Sequence, residues 1–322
     1  MKTILKAAAA SLTLMLAAGA HAQSWPSNTI KIVVPYPPGG NVDNAARLIA
    51  PGLQKALGQP VIVENRAGAG GMIAAQYVAK SDPDGYTLFM AANGPLLYSP
   101  TIFGRNTYHW KKDFAPITSV SFTPVVLQVN PKVQAKTLGE FLDYAKKNPG
   151  KLMMASPGAG TTNHLVSEQL QALTGAEWTT VHYKGNAPAT FDLIGGQVDF
   201  NFDQVSVALQ YIKEGKTRAL AISTAKRVPS MPDVPTFAEA GVKGMEAATF
   251  TGLLAPAGTP KAIVDRVSKE VAKIVQDKGI IEKFEAMGAE ARAMTPEEFT
   301  AYLAKEDATW LPIIKRINID AK

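Results

Sequence analysis

Short apolar or β-branched runs recur between stretches with helical spacing, and this rhythm limits the chain to a layered α/β architecture. Ile30–Val34, Val61–Glu64 and Thr87–Ala91 read as strands, and Asn44–Leu57 and Ile73–Ala79 between them read as helices. Strands bought from this vocabulary must be covered on both faces, which calls for a largely parallel sheet flanked by helices. The same grammar resumes with strands at 125–129, 152–155, 198–202 and 219–224 and helices at 138–147 and 163–174. A second unit is therefore expected, giving two lobes, each a sheet flanked by helices, with a cleft between them. The chain is expected to cross between lobes at Ser121–Pro124 and to return after Thr224, where proline and polar residues cluster. That assigns 23–123 plus 225–322 to lobe 1 and 124–224 to lobe 2. Thr137 with Glu140, and Thr295 with Pro296 and Glu298, place a hydroxyl three residues before a carboxylate and mark helix starts. Between Pro260 and Gln276 the apolar residues fall on one helical face.

Lys2 and Lys6 precede an apolar stretch to Ala20 and then Ala20-His21-Ala22. This reads as an export signal over residues 1–22, cut after Ala22, so the mature chain is expected to leave the cytoplasm. Removing those two lysines takes the formal charge from +6 to +4. The remaining basic residues are interspersed with acidic ones, without the basic stripe that nucleic acid would require. The chain has no cysteine, so disulfides and thiolate metal sites are excluded and the hydrophobic core must supply stability. The histidines beyond the signal, His109, His164 and His182, show no paired ligand spacing, and neither a metal nor a cofactor is expected.

Two glycine-bearing turns follow strands and open helices: Tyr36-Pro37-Pro38-Gly39-Gly40-Asn41 with Asp43, and Ser156-Pro157-Gly158-Ala159-Gly160-Thr161-Thr162 with Asn163 and His164. The first amides of a helix lack internal partners and carry the positive end of its dipole, so each turn can hold an anion. Neither turn contains Arg or Lys, so affinity would come from amides, hydroxyls and dipoles. Asp43 fits the organisation of the first turn better than contact with an anion, since like charges repel. The run Arg66–Gly71 lacks the Gly-Lys-Ser/Thr ending of a phosphate-binding loop and reads as a glycine turn near the cleft. A second ligand carboxylate could reach Lys184 or Arg66. Tyr36, Phe89, Phe202 and Phe250 belong to the core by residue type, although one or two could line the cleft and stack on an aromatic acid.

Several spaced blocks resemble the periplasmic solute-binding subunits of tripartite tricarboxylate transporters, the Bug family. They are Trp25-Pro26, Ile32–Gly40 with Asp43 and Ala46-Arg47, Val63–Arg66 with Gly68–Gly71, and Pro83–Leu88. Further on come Gly160-Thr161 with His164-Leu165, Tyr183-Lys184-Gly185, Gly195–Asp199 and Leu254–Pro260. The resemblance implies a Venus-flytrap protein of the type II-like binding fold. It would close on a small organic mono- or dicarboxylate, aliphatic or aromatic, such as terephthalate, and deliver it to a transporter of one large and one small membrane subunit. The family places the carboxylate between the two turns, which here gives Tyr36, Pro38, Gly39, Gly40, Asn41, Asp43, Ser156, Gly160, Thr161, Thr162, Asn163 and His164. Asp203 lies in a block that resembles the family's cleft-facing segment. Asn41-Val42, His182 and Phe250-Thr251 depart from the family's usual residues at positions that could set specificity. No catalytic residue is implied, and a monomer is expected. A serine hydrolase built on Ser156 with His164 or His182 lacks the Gly-x-Ser-x-Gly elbow. A sensing role, in which the loaded protein docks on a receptor, shares the binding fold and stays open.

Overall fold

The computed structural model describes residues 25–104 and 107–317; the export signal read at 1–22 lies outside them. Strands β1 (Ile30–Val34), β2 (Val61–Asn65) and β3 (Thr87–Ala91) are joined by helices α1 (Asn41–Leu57) and α2 (Met72–Ala79). β1 pairs in parallel with both β2 and β3. These follow from the sequence rhythm: runs such as Ile-Lys-Ile-Val-Val are buried by helices whose apolar stripe, including Val42, Ala46, Ile49 and Leu53, faces the sheet.

β4 (Phe114–Val129) is the long element that joins the two halves. Its first part, Phe114–Pro124, pairs antiparallel with β9 (Ala248–Pro256), which in turn pairs with β3. From Val125 onward β4 pairs instead with β7 (Phe200–Gln204) and β8 (Arg218–Ile222). β5 (Met153–Ser156) lies parallel between β7 and β6 (Thr179–His182). One strand thus runs through both lobes, and its hydrogen-bond partners change between Pro124 and Val125.

Helices α3 (Leu138–Lys147), α4 (Thr162–Thr174), α5 (Asn186–Ile194) and α6 (Val205–Lys213) cover the second sheet. Helix α7 (Lys261–Val275) packs with α1 on the first, followed by α8 (Lys278–Ala286) and α9 (Pro296–Ile317). Between α8 and α9 the short β10 (Glu290–Ala291) adds to β4 at Ser121–Phe122. The caps read at Thr137 and Thr295 are formed, each hydroxyl accepting from the N–H three residues on and each glutamate accepting in return. α9 crosses the junction: Tyr302 meets Phe122 and Phe250 edge-on at 5.2 and 5.7 Å, and Trp310 packs on Tyr98 at 5.8 Å. No helix of the described residues is long and apolar enough to cross a membrane.

Candidate functional site

The carboxyl ends of the parallel strands of both lobes point at one place. This is where open α/β sheets present loops and helix starts to a ligand. After β1 come Tyr36, Asn41 and Val42; after β3, Ala92 and Gly94; after β5, Pro157 and Thr161–Asn163; after β6, Asn186; and at the end of β7, Gln204. Together with Thr249 at the start of β9 they enclose a cavity of about 20 Å³, room for roughly one water. No Lys, Arg, Asp, Glu or His lines it. The lobes are therefore in contact here. A larger hollow of about 520 Å³ between Lys132 and Tyr144 lies on the outside of lobe 2 and collects no helix start beside the cleft.

Each turn is braced so that its helix-start amides stay free. In α1 the first amide with a helical partner is Asn44, which donates to the Gly40 carbonyl. The turn before it is organised by Asp43, whose carboxylate accepts from Gly39 N at 2.9 Å, from Arg47 Nε at 2.9 and 3.0 Å and from Asn65 Nδ2 at 2.8 Å. Asn65 also donates to the Tyr36 carbonyl at 2.8 Å. In lobe 2, Thr161 caps α4 by accepting from His164 N, and its hydroxyl donates to the Gly158 carbonyl at 2.8 Å. His164 accepts from Gly160 N at Nδ1, 3.3 Å away, and burial, followed by the neighbouring His182, pushes its pKa down to about 3. It is a neutral brace. Ser156 Oγ donates to the Gly158 carbonyl and accepts from Gly158 N, so its hydroxyl engages its own loop and neither histidine.

The floor of lobe 2 is a buried amide network. Asp203, 1 % exposed, accepts from Asn186, Thr190, Asn201 and the Gln204 amide. Burial raises its carboxyl to about 7 against the lowering effect of those bonds. Asn41 closes the opposite side, its Oδ1 accepting from Thr123 at 3.0 Å and from Ser206, on the other lobe, at 2.7 Å.

Of the residues expected at the site, Tyr36, Asn41, Thr161, Thr162 and Asn163 line the cavity. Gly40 adjoins it, and a Cβ there would lie 3.2 Å from Asn186 Oδ1. Pro38 and Gly39 are exposed on the rim, while Asp43, Ser156, Gly160, His164 and Asp203 sit behind the wall. Phe89, Phe202 and Phe250 are fully buried in the core, leaving Tyr36 as the aromatic of the lining. Arg66 stacks on Tyr77 at 3.7 Å and pairs with Glu64, outside the lining.

Asn186, Gln204, Thr249 and Gly94 were not singled out by the sequence. Gly94 follows β3 just as Gly40 follows β1, so the strand-then-glycine pattern could have found it. A Cβ on Gly94 would meet the Gly160 carbonyl at 2.8 Å, which shows how closely the lobes approach there. Its neighbour Asn93 is anchored: Asn93 Oδ1 accepts from Phe250 N at 3.0 Å, and Nδ2 donates to Tyr98 at 3.1 Å and to Glu306 of α9 at 3.0 Å.

Residues 45–319 match the family described as tripartite tricarboxylate transporter family receptor, TctC. Protein BugT of Bordetella pertussis (strain Tohama I) is 35% identical over 311 residues, 96% of this chain and 95% of the relative. Among solved structures, an R. palustris protein with adipate superposes with a TM-score of 0.89 at 34% identity, covering 92% of this chain and 99% of that one. MatC from Rhodopseudomonas palustris with bound malate does so with a TM-score of 0.86 at 34% identity, covering 90% and 100%. The chain belongs to the tripartite tricarboxylate transporter receptor family, whose members are periplasmic solute-binding proteins and not enzymes.

Proposed function

We propose that this protein captures a small organic carboxylate in the cleft and presents it to a membrane transporter. The observation that carries the reading is the meeting of the free amide ends of α1 and α4 on one cavity lined by Tyr36, Asn41, Thr162 and Asn163 and by no charged side chain. Such a site holds an anion by dipoles and hydrogen-bond donors, and closure around it removes competing water. The solved relatives carry adipate and malate, which makes an aliphatic dicarboxylate the first class to test. A lining with Tyr36 as its aromatic gives little stacking surface for terephthalate.

The two lobes, 23–123 plus 225–322 and 124–224, turn on β4 and β9, a division supported by the change of strand partners between Pro124 and Val125. The chain is exported on a signal cut after Ala22, acts as a monomer, and delivers to a transporter of one large and one small membrane subunit. The binding residues are those of the two turns, Tyr36–Asp43 and Ser156–His164, with Asp203 behind them.

Residues 23–322, stripped by unfolding and refolding, are melted against aliphatic, amino and aromatic acids. A native-state ligand must raise the melting temperature. A saturable rise with one acid class supports the reading; no rise with any acid overturns it.

A further inference from the structure

The side-chain amides on the lobe-2 side of the cavity are locked in a chain whose last oxygen is turned toward the cleft. The Phe202 carbonyl can only accept, so the Asn163 atom 2.7 Å from it is the donor, Nδ2. Asn163 Oδ1 then accepts from Gln204 Nε2 at 2.8 Å. That turns Gln204 Oε1 toward Asn186, whose Nδ2 donates to it at 2.7 Å and to Asp203 Oδ1 as well. Both hydrogens of the Asn186 amide are thereby committed. Its Oδ1 is left facing the start of α1, 3.2 Å from where a Gly40 Cβ would stand, and no described residue donates to it. Asn186 is 8% exposed and lines the cavity. On the facing lobe Asn41 offers the complement: its Oδ1 is taken by two hydroxyls and its buried Nδ2 has no partner among the described residues.

Resting on the reading that this cleft holds a carboxylate, we propose that Asn186 is a specificity determinant. Its Oδ1 accepts a hydrogen bond from an O–H or N–H that the ligand carries near its carboxylate, and the site therefore selects hydroxy- or amino-substituted acids over their unsubstituted parents. A parent acid presents C–H to that oxygen, which then loses water without replacement. Sites built to pair with a ligand hydroxyl reject analogues that lack it for this reason. Asp203 is a positioning residue: it accepts from the Asn186 amide and keeps the oxygen forward.

Calorimetric titration of the refolded full chain with succinate, malate and aspartate tests this, malate and aspartate separating an O–H from an N–H donor. At least one substituted acid is expected to bind roughly tenfold or more tighter than succinate, the ratio expected when a buried acceptor is left unpaired. Asn186→Leu should bring that ratio to near one. Asp203→Asn, which offers Asn186 a donor as well as an acceptor and lets its amide turn, should lower the ratio too, a readout that general loosening of the lobe would not move selectively. Equal affinities in the unaltered protein, or a ratio that survives Asn186→Leu in a folded variant, overturn the proposal while leaving carboxylate binding intact. Binding of none of the three, nor of any other acid, overturns the carboxylate reading itself, and this one with it.

Discussion

The lobe-1 turn is held by an ion pair and the lobe-2 turn by neutral groups, although both serve to leave helix-start amides free. Burial alone would raise the Asp43 carboxyl, but hydrogen bonds from Arg47, Gly39 and Asn65 outweigh it and hold the group below its ordinary value. A negative charge beside the proposed anion site is tolerable there because Arg47 lies on it and because it faces away from the cavity. In lobe 2 the same bracing is done by Thr161, Ser156 and an imidazole that stays uncharged because it is buried. The difference teaches that rigidity of a binding turn and charge at the binding surface can be set separately.

The strongest way to break the comparison is to block a place where the first turn approaches the facing lobe. Gly40 has φ −84° and ψ 172°, extended backbone open to any residue, so Gly40→Val should fold. Its side chain would press on Asn186 as the lobes close. Binding should be lost beyond detection by calorimetry with the melting temperature nearly unchanged; retained affinity would move the ligand elsewhere.

Removing each brace should then separate them by size. Asp43→Ala strips partners from Gly39 N, Asn65 and Arg47 and should cost about 2 kcal/mol in urea unfolding. Equal losses for Asp43→Ala and for the lobe-2 cap would erase the distinction drawn here.

Titration sharpens it further, because two buried groups of lobe 2 pull in opposite directions. His164 titrates at about 3 in the folded chain against an ordinary 6.5, so the unfolded chain binds its proton first. Its contribution is present above pH 6.5 and is lost as pH falls toward 3. Asp203 is raised from 3.8 to about 7, so its contribution is present below pH 3.8 and is lost as pH rises through 7. Between pH 4 and 6.5 each slope is at most about 1.4 kcal/mol per unit, and they oppose. His164→Asn should make stability fall as pH rises across that window, and Asp203→Asn should make it rise; variants that change the profile in the same sense would contradict the assignment. The smallest effect belongs to Thr161→Ala, about 1 kcal/mol for a lost helix cap, checked by the same urea titrations.

Legibility in the sequence follows how each element satisfies itself. Ile30–Val34 was readable in full because its apolar run is its structure. β4 was readable only from Val125: upstream, Pro116, Thr118, Ser119, Ser121 and Thr123 look like a connection, and register shifts after Pro116 and Ser119 disturb the alternation. Those polar side chains find partners only in the fold, Ser121 with Thr251 at 2.7 Å, Thr118 with the Met294 carbonyl and Ser119 with that of Arg292. β7 was expected two residues early for a related reason. Asn201, Asp203 and Gln204 are strand residues whose polarity is absorbed by the amide network. The turns of the site were visible as glycine patterns, but Asn186 and Thr249 enter it through tertiary contact, which spacing does not encode.

Asn93 makes the far end of the chain part of the cleft's tolerance. The wall at Gly94 is pinned through Asn93 to Glu306, more than two hundred positions later. A library that randomises only the lining would therefore sample a fraction of the positions able to retune the cavity, and α9, which contributes nothing to the lining, is a place to look for variants with altered selectivity.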